Sequence, residues 1–134
     1  QNQNNSSSQS VYGIVVGTGA TGLAVSQNTV HSLANTAATA AVSVTGIYFN
    51  GATSGTRIVS RNRVHSLSIS STSTSSVLNG MQFINGSFTA QNNMVRVGLT
   101  PDGTGTACAG ASGWSSSAPT CRWMRWPRWT PCRC

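Results

Sequence analysis

The sequence predicts an all-β protein built from three stacked copies of one repeat, and two independent motifs carry this prediction. The first motif is a ten-residue segment that aligns without a gap at residues 24–33 (AVSQNTVHSL), 58–67 (IVSRNRVHSL) and 88–97 (FTAQNNMVRV). The second motif is a glycine that opens a short apolar run, in GIVV at Gly13, GIYF at Gly46 and GMQF at Gly80. A fixed period of a few tens of residues is typical of solenoids, propellers and arrays.

The repeated segments have the composition of strands and not of helices. They are short, rich in Val, Ile, Thr, Phe and Tyr, and bounded by Gly, Asn and Ser. No window keeps an apolar period of 3.6 residues. Alternation along the middle copy then predicts which side chains face the interior. The inward set is Ile58, Ser60 and Val64, and the outward set is Val59, Arg61 and His65.

Each copy of the ten-residue segment has an asparagine between its two strands, at Asn28, Asn62 and Asn92. Asparagine suits a bend, because it tolerates left-handed backbone angles and its amide bonds to nearby backbone. In a solenoid the three amides would stack and exchange hydrogen bonds, so we predict a structural asparagine ladder. His31 and His65 also occupy equivalent positions. We expect their rings to stack on an outer face about 5 Å apart, the spacing of neighbouring strands.

The glycine-opened apolar runs, the Asn-x-Val bend and the Ser/Thr-rich loops resemble the repeats of right-handed parallel β-helices in the pectate-lyase-like superfamily. They are most similar to repeats in large secreted or surface-attached bacterial proteins, and the resemblance spans residues 11–104. It implies a right-handed parallel β-helix of about three rungs and an extracellular or cell-surface location. It implies little about activity, because this superfamily includes lyases, hydrolases, adhesins and phage tailspikes.

The repeats and the segment before them form the first two parts of the predicted organisation. Residues 1–10 (QNQNNSSSQS) stand before Gly13 as Ser/Thr-containing loops stand before Gly46 and Gly80. They are interpreted as the closing loop of a preceding rung, with a free linker as the alternative. Residues 11–105 are the β-helix repeats. Three rungs are few for a solenoid, whose ends need caps. We therefore expect a fragment, with further β-helix rungs of a parent chain as its partners.

Residues 106–134 form an irregular tail that contains every cysteine and every tryptophan of the chain. The cysteines are Cys108, Cys121, Cys132 and Cys134. One interpretation is a cap held by two disulfides in one of three pairings. A second is a basic tail whose Arg and Trp side chains contact a membrane surface. The third is translation of a non-native reading frame, which the loss of the repeat pattern after Val97 favours.

The charge distribution narrows the choice of partner. The chain has eight basic residues, all of them arginine, and one acidic residue, Asp102. The arginines of the repeats are too sparse for the dense basic stripe of a nucleic-acid-binding protein, and this favours a polysaccharide or cell-surface glycan. Arg57, Arg61 and Arg63 are the candidate contacts, because guanidinium groups pair well with the carboxylates of acidic glycans.

The scarcity of acids also argues against catalysis. Glycoside hydrolysis by the usual route needs two carboxylates, and calcium-assisted lyases need clustered acidic ligands. A lyase with Tyr48 or His65 as proton acceptor and Arg57 as neutralising group is the catalytic set that remains. No cofactor is predicted, and no metal site either, since the cysteine spacing matches no zinc pattern and the two histidines have no third ligand.

We therefore expect a non-catalytic structural or adhesive segment that contacts carbohydrate along its strand faces. The alternative is part of a polysaccharide lyase or another glycan-active enzyme whose catalytic rungs lie outside this chain.

Overall fold

A computed structural model describes residues 10–19 and 22–98 with their side chains and residues 111–116 by their backbone. All twelve elements in these ranges are β-strands. They are β1 (Ser10–Val16), β2 (Leu23–Ser26), β3 (Thr29–His31), β4 (Ala34–Asn35), β5 (Ser43–Asn50), β6 (Arg57–Ser60), β7 (Arg63–His65), β8 (Ser68–Ile69), β9 (Val77–Asn85), β10 (Thr89–Gln91), β11 (Met94–Val95) and β12 (Ala111–Ser116). The all-β prediction is confirmed for these residues, which include no helix able to span a membrane.

The strands pair in four sheets, in which neighbouring strands are parallel and come from successive parts of the chain. The strand orders are β1-β5-β9-β12, β2-β6-β10, β3-β7-β11 and β4-β8. The first repeat therefore comprises β1 to β4, the second β5 to β8, and the third β9 to β11. Within the described residues each sheet has two edge strands, so none of the four closes into a barrel. The repeat seen in the sequence is thus the unit of strand pairing.

One hydrophobic core gathers the inward side chains of the larger sheets. Its fully buried members on the two central strands are Val44, Ile47, Phe49, Leu78, Met81 and Phe83. Val59, Val64 and Leu67 add to the same cluster from the second repeat. Phe88 stacks on Phe83 with the ring centroids 4.2 Å apart. Burying a side chain of this kind contributes roughly 1.5–3 kcal/mol, so side chains from successive repeats stabilise one another.

The glycine of the second motif is explained by a close approach between two sheets. A Cβ atom on Gly46 would lie 2.4 Å from Cγ1 of Val64 and 2.5 Å from the carbonyl oxygen of Gly80. A Cβ atom on Gly13 would meet Val30 and the Gly46 carbonyl at the same two distances. These separations are far below van der Waals contact. Glycine at this position therefore lets the first sheet pack directly against the valines of β3 and β7.

The predicted alternation along β6 was wrong at two positions. Val59 is fully buried and Ile58 is 38 % exposed, the reverse of the expectation. The expectation followed strict alternation backward from Val64, which is buried as predicted. Arg61 breaks that alternation, because its φ of 55° places the backbone in the left-handed region. The alternation of inward and outward side chains in β6 is therefore out of step with that in β7.

The first sheet continues beyond the predicted end of the repeats at residue 105. Strand β12 pairs with β9 in parallel, with Ser112 opposite Asn79 and Trp114 opposite Met81. Gly113 consequently takes the place beside Gly80, so the glycine position recurs once more in the tail, without the apolar run of the earlier copies. The four cysteines and residues 1–9 lie outside the described residues. Ser10, predicted to end a loop, begins β1 opposite Ser43.

Candidate functional site

An inner column of asparagine side chains runs through the bend between the second and third sheets. Oδ1 of Asn62 accepts hydrogen bonds from the backbone N–H of Asn28 at 3.1 Å and from its Nδ2 at 3.0 Å. Oδ1 of Asn93 accepts the equivalent bonds from Asn62 at 3.0 and 2.9 Å. Nδ2 of Asn62 also donates to the Val25 carbonyl at 2.8 Å. Asn62 and Asn93 thus each tie their own bend to the preceding repeat, since Nδ2 of Asn93 likewise donates to the Val59 carbonyl.

The third member of this column is Asn93, so the predicted position at Asn92 was wrong by one residue. Asn92 has a φ of 54° and matches Gln27 and Arg61, with φ values of 61° and 55°. Asparagine suits both positions, since it adopts left-handed angles readily and also bonds to backbone. The gap-free alignment of the three copies matched Asn62 with Asn92, the first residue of the Asn92–Asn93 pair. Only the pairing of Met94 with Arg63 places Asn93 opposite Asn62.

An outer column lies on the opposite side of the third sheet, where His31 stacks on His65. The ring centroids are 5.3 Å apart and the planes differ by 8°, which confirms the predicted stack. Nδ1 of each ring is within hydrogen-bonding distance of the next serine hydroxyl, 3.0 Å from Ser32 and 2.9 Å from Ser66. These serines have φ values of 55°. The turns that follow β3 and β7 thereby orient both imidazoles.

The electrostatic surroundings of His65 are cationic. Burial lowers the pKa of His65, and the nearby positive charges of Arg63, His31 and Arg96 lower it further. Arg96 follows Val95, which is paired with Val64, so it occupies the place on the third repeat that His65 occupies on the second. Sequence reasoning missed Arg96 because the gap-free alignment put Val95 beside His65. The pattern Thr-Val-His, Arg-Val-His, Met-Val-Arg contains the correct register.

Arg57 does not reach the surface, which contradicts its prediction as a carbohydrate contact and as a catalytic group. Its side chain is fully buried, and its guanidinium donates to the carbonyl oxygens of Ser54 and of Ser87, the latter at 3.2 Å. Arg57 and Val59 lie on the same inward side of β6. Arg57 is thereby placed beneath the loops of the second and third repeats. Its charge serves to bind backbone carbonyls in the interior.

The remaining candidates differ in exposure and in their neighbours. Arg61 and Arg63 are exposed. The ring of Tyr48 on β5 contacts that of Tyr12 on β1, with centroids 5.3 Å apart. Tyr48 and His65 therefore each pair with a ring on the adjacent strand of their own sheet, and Arg57 points inward. The contacts among the described residues do not bring the predicted catalytic set together.

No cluster of metal-binding side chains marks the described residues. No group of three or more His, Cys, Asp or Glu side chains occurs among them. A shallow depression lies at the open edge of the first repeat, lined by Gly13, Ile14, Asn28, Val30 and His31, among others. The best-defined functional candidate in this part of the chain is therefore the exposed outer face of the third sheet.

Comparison of the chain with protein-family models, with curated proteins and with solved structures finds no match. The functional inference therefore rests on the geometry of the sheets and on the chemistry of their outer faces.

Proposed function

We propose that the chain is a segment of a right-handed parallel β-helix that acts as a non-catalytic structural or adhesive element outside the cell and contacts carbohydrate. The observation that supports this is the strand order. The three larger sheets add the strand of each successive repeat in chain order, from β1 to β5 to β9, from β2 to β6 to β10, and from β3 to β7 to β11. This order is the one expected of a coil in which every turn contributes one strand to each face.

The handedness follows from a general rule. A connection between two parallel neighbouring strands of one sheet is right-handed in nearly all proteins, because of the twist of the strands. Here β2 to β4 connect β1 to β5, and β6 to β8 connect β5 to β9. Each repeat would bury too little apolar surface alone, and stacking makes the core continuous.

The non-catalytic role is supported by the chemistry and the placement of the polar side chains. The only carboxylate side chain of the protein, Asp102, lies outside the described residues. Arg57 is occupied in the interior, while Tyr48 and His65 stand on different sheets. The exposed side chains of the repeats are chiefly hydroxyls and amides with three arginines among them. That surface suits contact with the hydroxyls and acidic groups of a glycan.

Spin labels at Ala24 and Thr89 test the architecture. Both positions are exposed and both pair with Ile58, on its two sides. A stacked coil places the two backbones about 10 Å apart, twice the strand spacing, so the doubly labelled protein should show strong dipolar broadening. A spectrum equal to the sum of the two singly labelled proteins would contradict the proposal.

A turnover assay separates the structural role from that of a lyase. The protein is incubated with uronate polymers, and new absorbance from unsaturated sugar ends is followed over time. We expect none above the background without protein. Turnover that Tyr48→Phe or His65→Gln abolishes, in variants with unchanged circular dichroism, would replace the structural role with a catalytic one.

A further inference from the structure

Four side chains on the outer side of the third sheet form what we call the histidine–arginine face: His31, Arg63, His65 and Arg96. They come from three adjacent parallel strands or their immediate ends. His31, His65 and Arg96 follow one another along the stacking direction, and Arg63 lies two residues before His65. Neighbouring strands are about 4.8 Å apart, so the face presents basic groups at a short and regular interval.

The positive charge of this face has no acidic counterpart among the described residues. His31, Arg63 and Arg96 are exposed and His65 is partly so. Exposed guanidinium groups without acidic side chains nearby attract anions from solution and can pair with them bidentately. Arg57 shows the contrast, since its guanidinium is turned inward to backbone carbonyls.

We propose that the histidine–arginine face binds a linear polysaccharide carrying regularly spaced carboxylate or sulfate groups, and binds it more tightly in mildly acidic solution. The polymer runs along the stacking direction, so that successive acidic groups meet Arg63, Arg96 and the two imidazoles. The inference rests on the carbohydrate contact of the proposed function and assigns its face and its ligand class.

The dependence on acidity comes from the two histidines. The groups that face His65 are His31 on β3, Arg63 on its own strand and Arg96 at the end of β11, with Arg61 in the preceding bend, and all of them are basic. Burial lowers the pKa of His65, and the positive charges of Arg63, His31 and Arg96 lower it further. An anionic polymer favours the protonated rings, so protonation and binding strengthen each other by linkage.

The test uses the full chain and calorimetric titration with three polymers: a polyuronate with carboxylates only, dextran sulfate with sulfates only, and neutral dextran. We expect the polyuronate, dextran sulfate or both to bind, and the polymer that binds identifies the acidic group. The double variant Arg63→Gln/Arg96→Gln should weaken this binding roughly tenfold, the combined effect of two exposed ion pairs. Failure of both acidic polymers to bind the unmodified protein overturns the proposal.

The matched control is Arg122→Gln/Arg125→Gln, which removes the same charge from the C-terminal tail. It should retain most of the affinity. If this control loses binding and Arg63→Gln/Arg96→Gln does not, the ligand belongs to the tail and the proposed face is wrong. Unchanged circular dichroism in both variants ensures that folding is not the cause.

Dextran sulfate also gives the dependence on acidity, because sulfate esters do not titrate in the relevant range. Its affinity should rise between about pH 8 and about pH 5, and His31→Gln/His65→Gln should abolish the rise. An affinity of the unmodified protein that is independent of pH overturns the proposal. The spin-label distance tests the β-helix separately, so failure of the polymer experiment alone leaves the proposed architecture standing.

Discussion

The first and second repeats contain the same residues at several equivalent positions, yet only the second buries them completely. Ile47 has no exposed surface, whereas Ile14, its partner on β1, is partly exposed. Val64 is fully buried and Val30 is 8 % exposed. Strands β5, β6 and β7 of the second repeat have partners on both sides, and within the described residues the strands of the first repeat have them on one. Burial in this fold therefore depends on stacking neighbours more than on residue type.

The largest contrast is expected from Val64→Asp and Val30→Asp. A carboxylate at position 64 would be enclosed by repeats on both sides with no basic partner, which costs several kcal/mol even when the group becomes protonated. At position 30 the same group can turn toward water at the open edge of the stack. We expect Val64→Asp to abolish the cooperative thermal transition and Val30→Asp to lower its midpoint only. Equal loss in both variants would show that the two positions have the same surroundings.

Truncation of the paired isoleucines gives the next largest effect. Ile47→Ala should destabilise the protein by about 2–5 kcal/mol, because it removes buried atoms and leaves a cavity. Ile14→Ala should cost about half as much, since part of the Ile14 side chain is already in water. Urea unfolding followed by circular dichroism measures both values. The comparison fails if Ile14→Ala costs as much as Ile47→Ala.

The asparagine column provides a smaller and purely polar contrast. Asn62→Ala removes the acceptor for two bonds from Asn28 and the donor to Val25. The backbone N–H of Asn28 and the Val25 carbonyl lose these partners, while Nδ2 of Asn28 keeps its bond to the Ser26 carbonyl. We expect a loss of about 2–3 kcal/mol. Asn28→Ala should cost about 1 kcal/mol, because Asn28 has a described stacking partner on one side only.

Urea unfolding also tests the strand register that places Asn93, and not Asn92, opposite Asn62. Asn93→Ala should destabilise the protein measurably, since Asn93 accepts two hydrogen bonds from Asn62. Asn92→Ala should have a smaller effect, limited to the difficulty of placing alanine at positive φ. If Asn92→Ala lowered the free energy of unfolding more than Asn93→Ala, the third member of the ladder would be Asn92, as the sequence predicted.

The sequence was sufficient to predict the features that recur with one residue type in each repeat. The period, the strands, the glycine positions and the stack of His31 on His65 all follow from such recurrence. The stack in particular needs only equal position and the spacing of parallel strands. Local identity and one geometric constant were enough.

The sequence was not sufficient to predict features that depend on a change of strand register or on a break in the alternation of side chains. The positive φ of Arg61 reverses the alternation, so Ile58 and Val59 exchange places. The same reversal buries Arg57, although arginine is rarely inside proteins. Gly113 escaped notice because its neighbours lack the apolar residues of the earlier copies. Composition describes single residues, whereas these outcomes depend on what lies on the adjacent strand.

The smallest effect concerns His65, whose pKa depends on His31 in the repeat above it. The folded protein holds this pKa below the 6.5 of an unperturbed histidine. The unfolded chain therefore binds more protons, and His65 makes the fold slightly less stable as the pH falls through that value. His31→Gln removes one positive neighbour and should raise the pKa of His65, as measured by NMR titration of the ring protons. The control Thr29→Ala, on the same strand but opposite Arg63, should leave it unchanged. An unchanged pKa of His65 in His31→Gln would mean that packing and strand pairing couple neighbouring repeats and that charge does not.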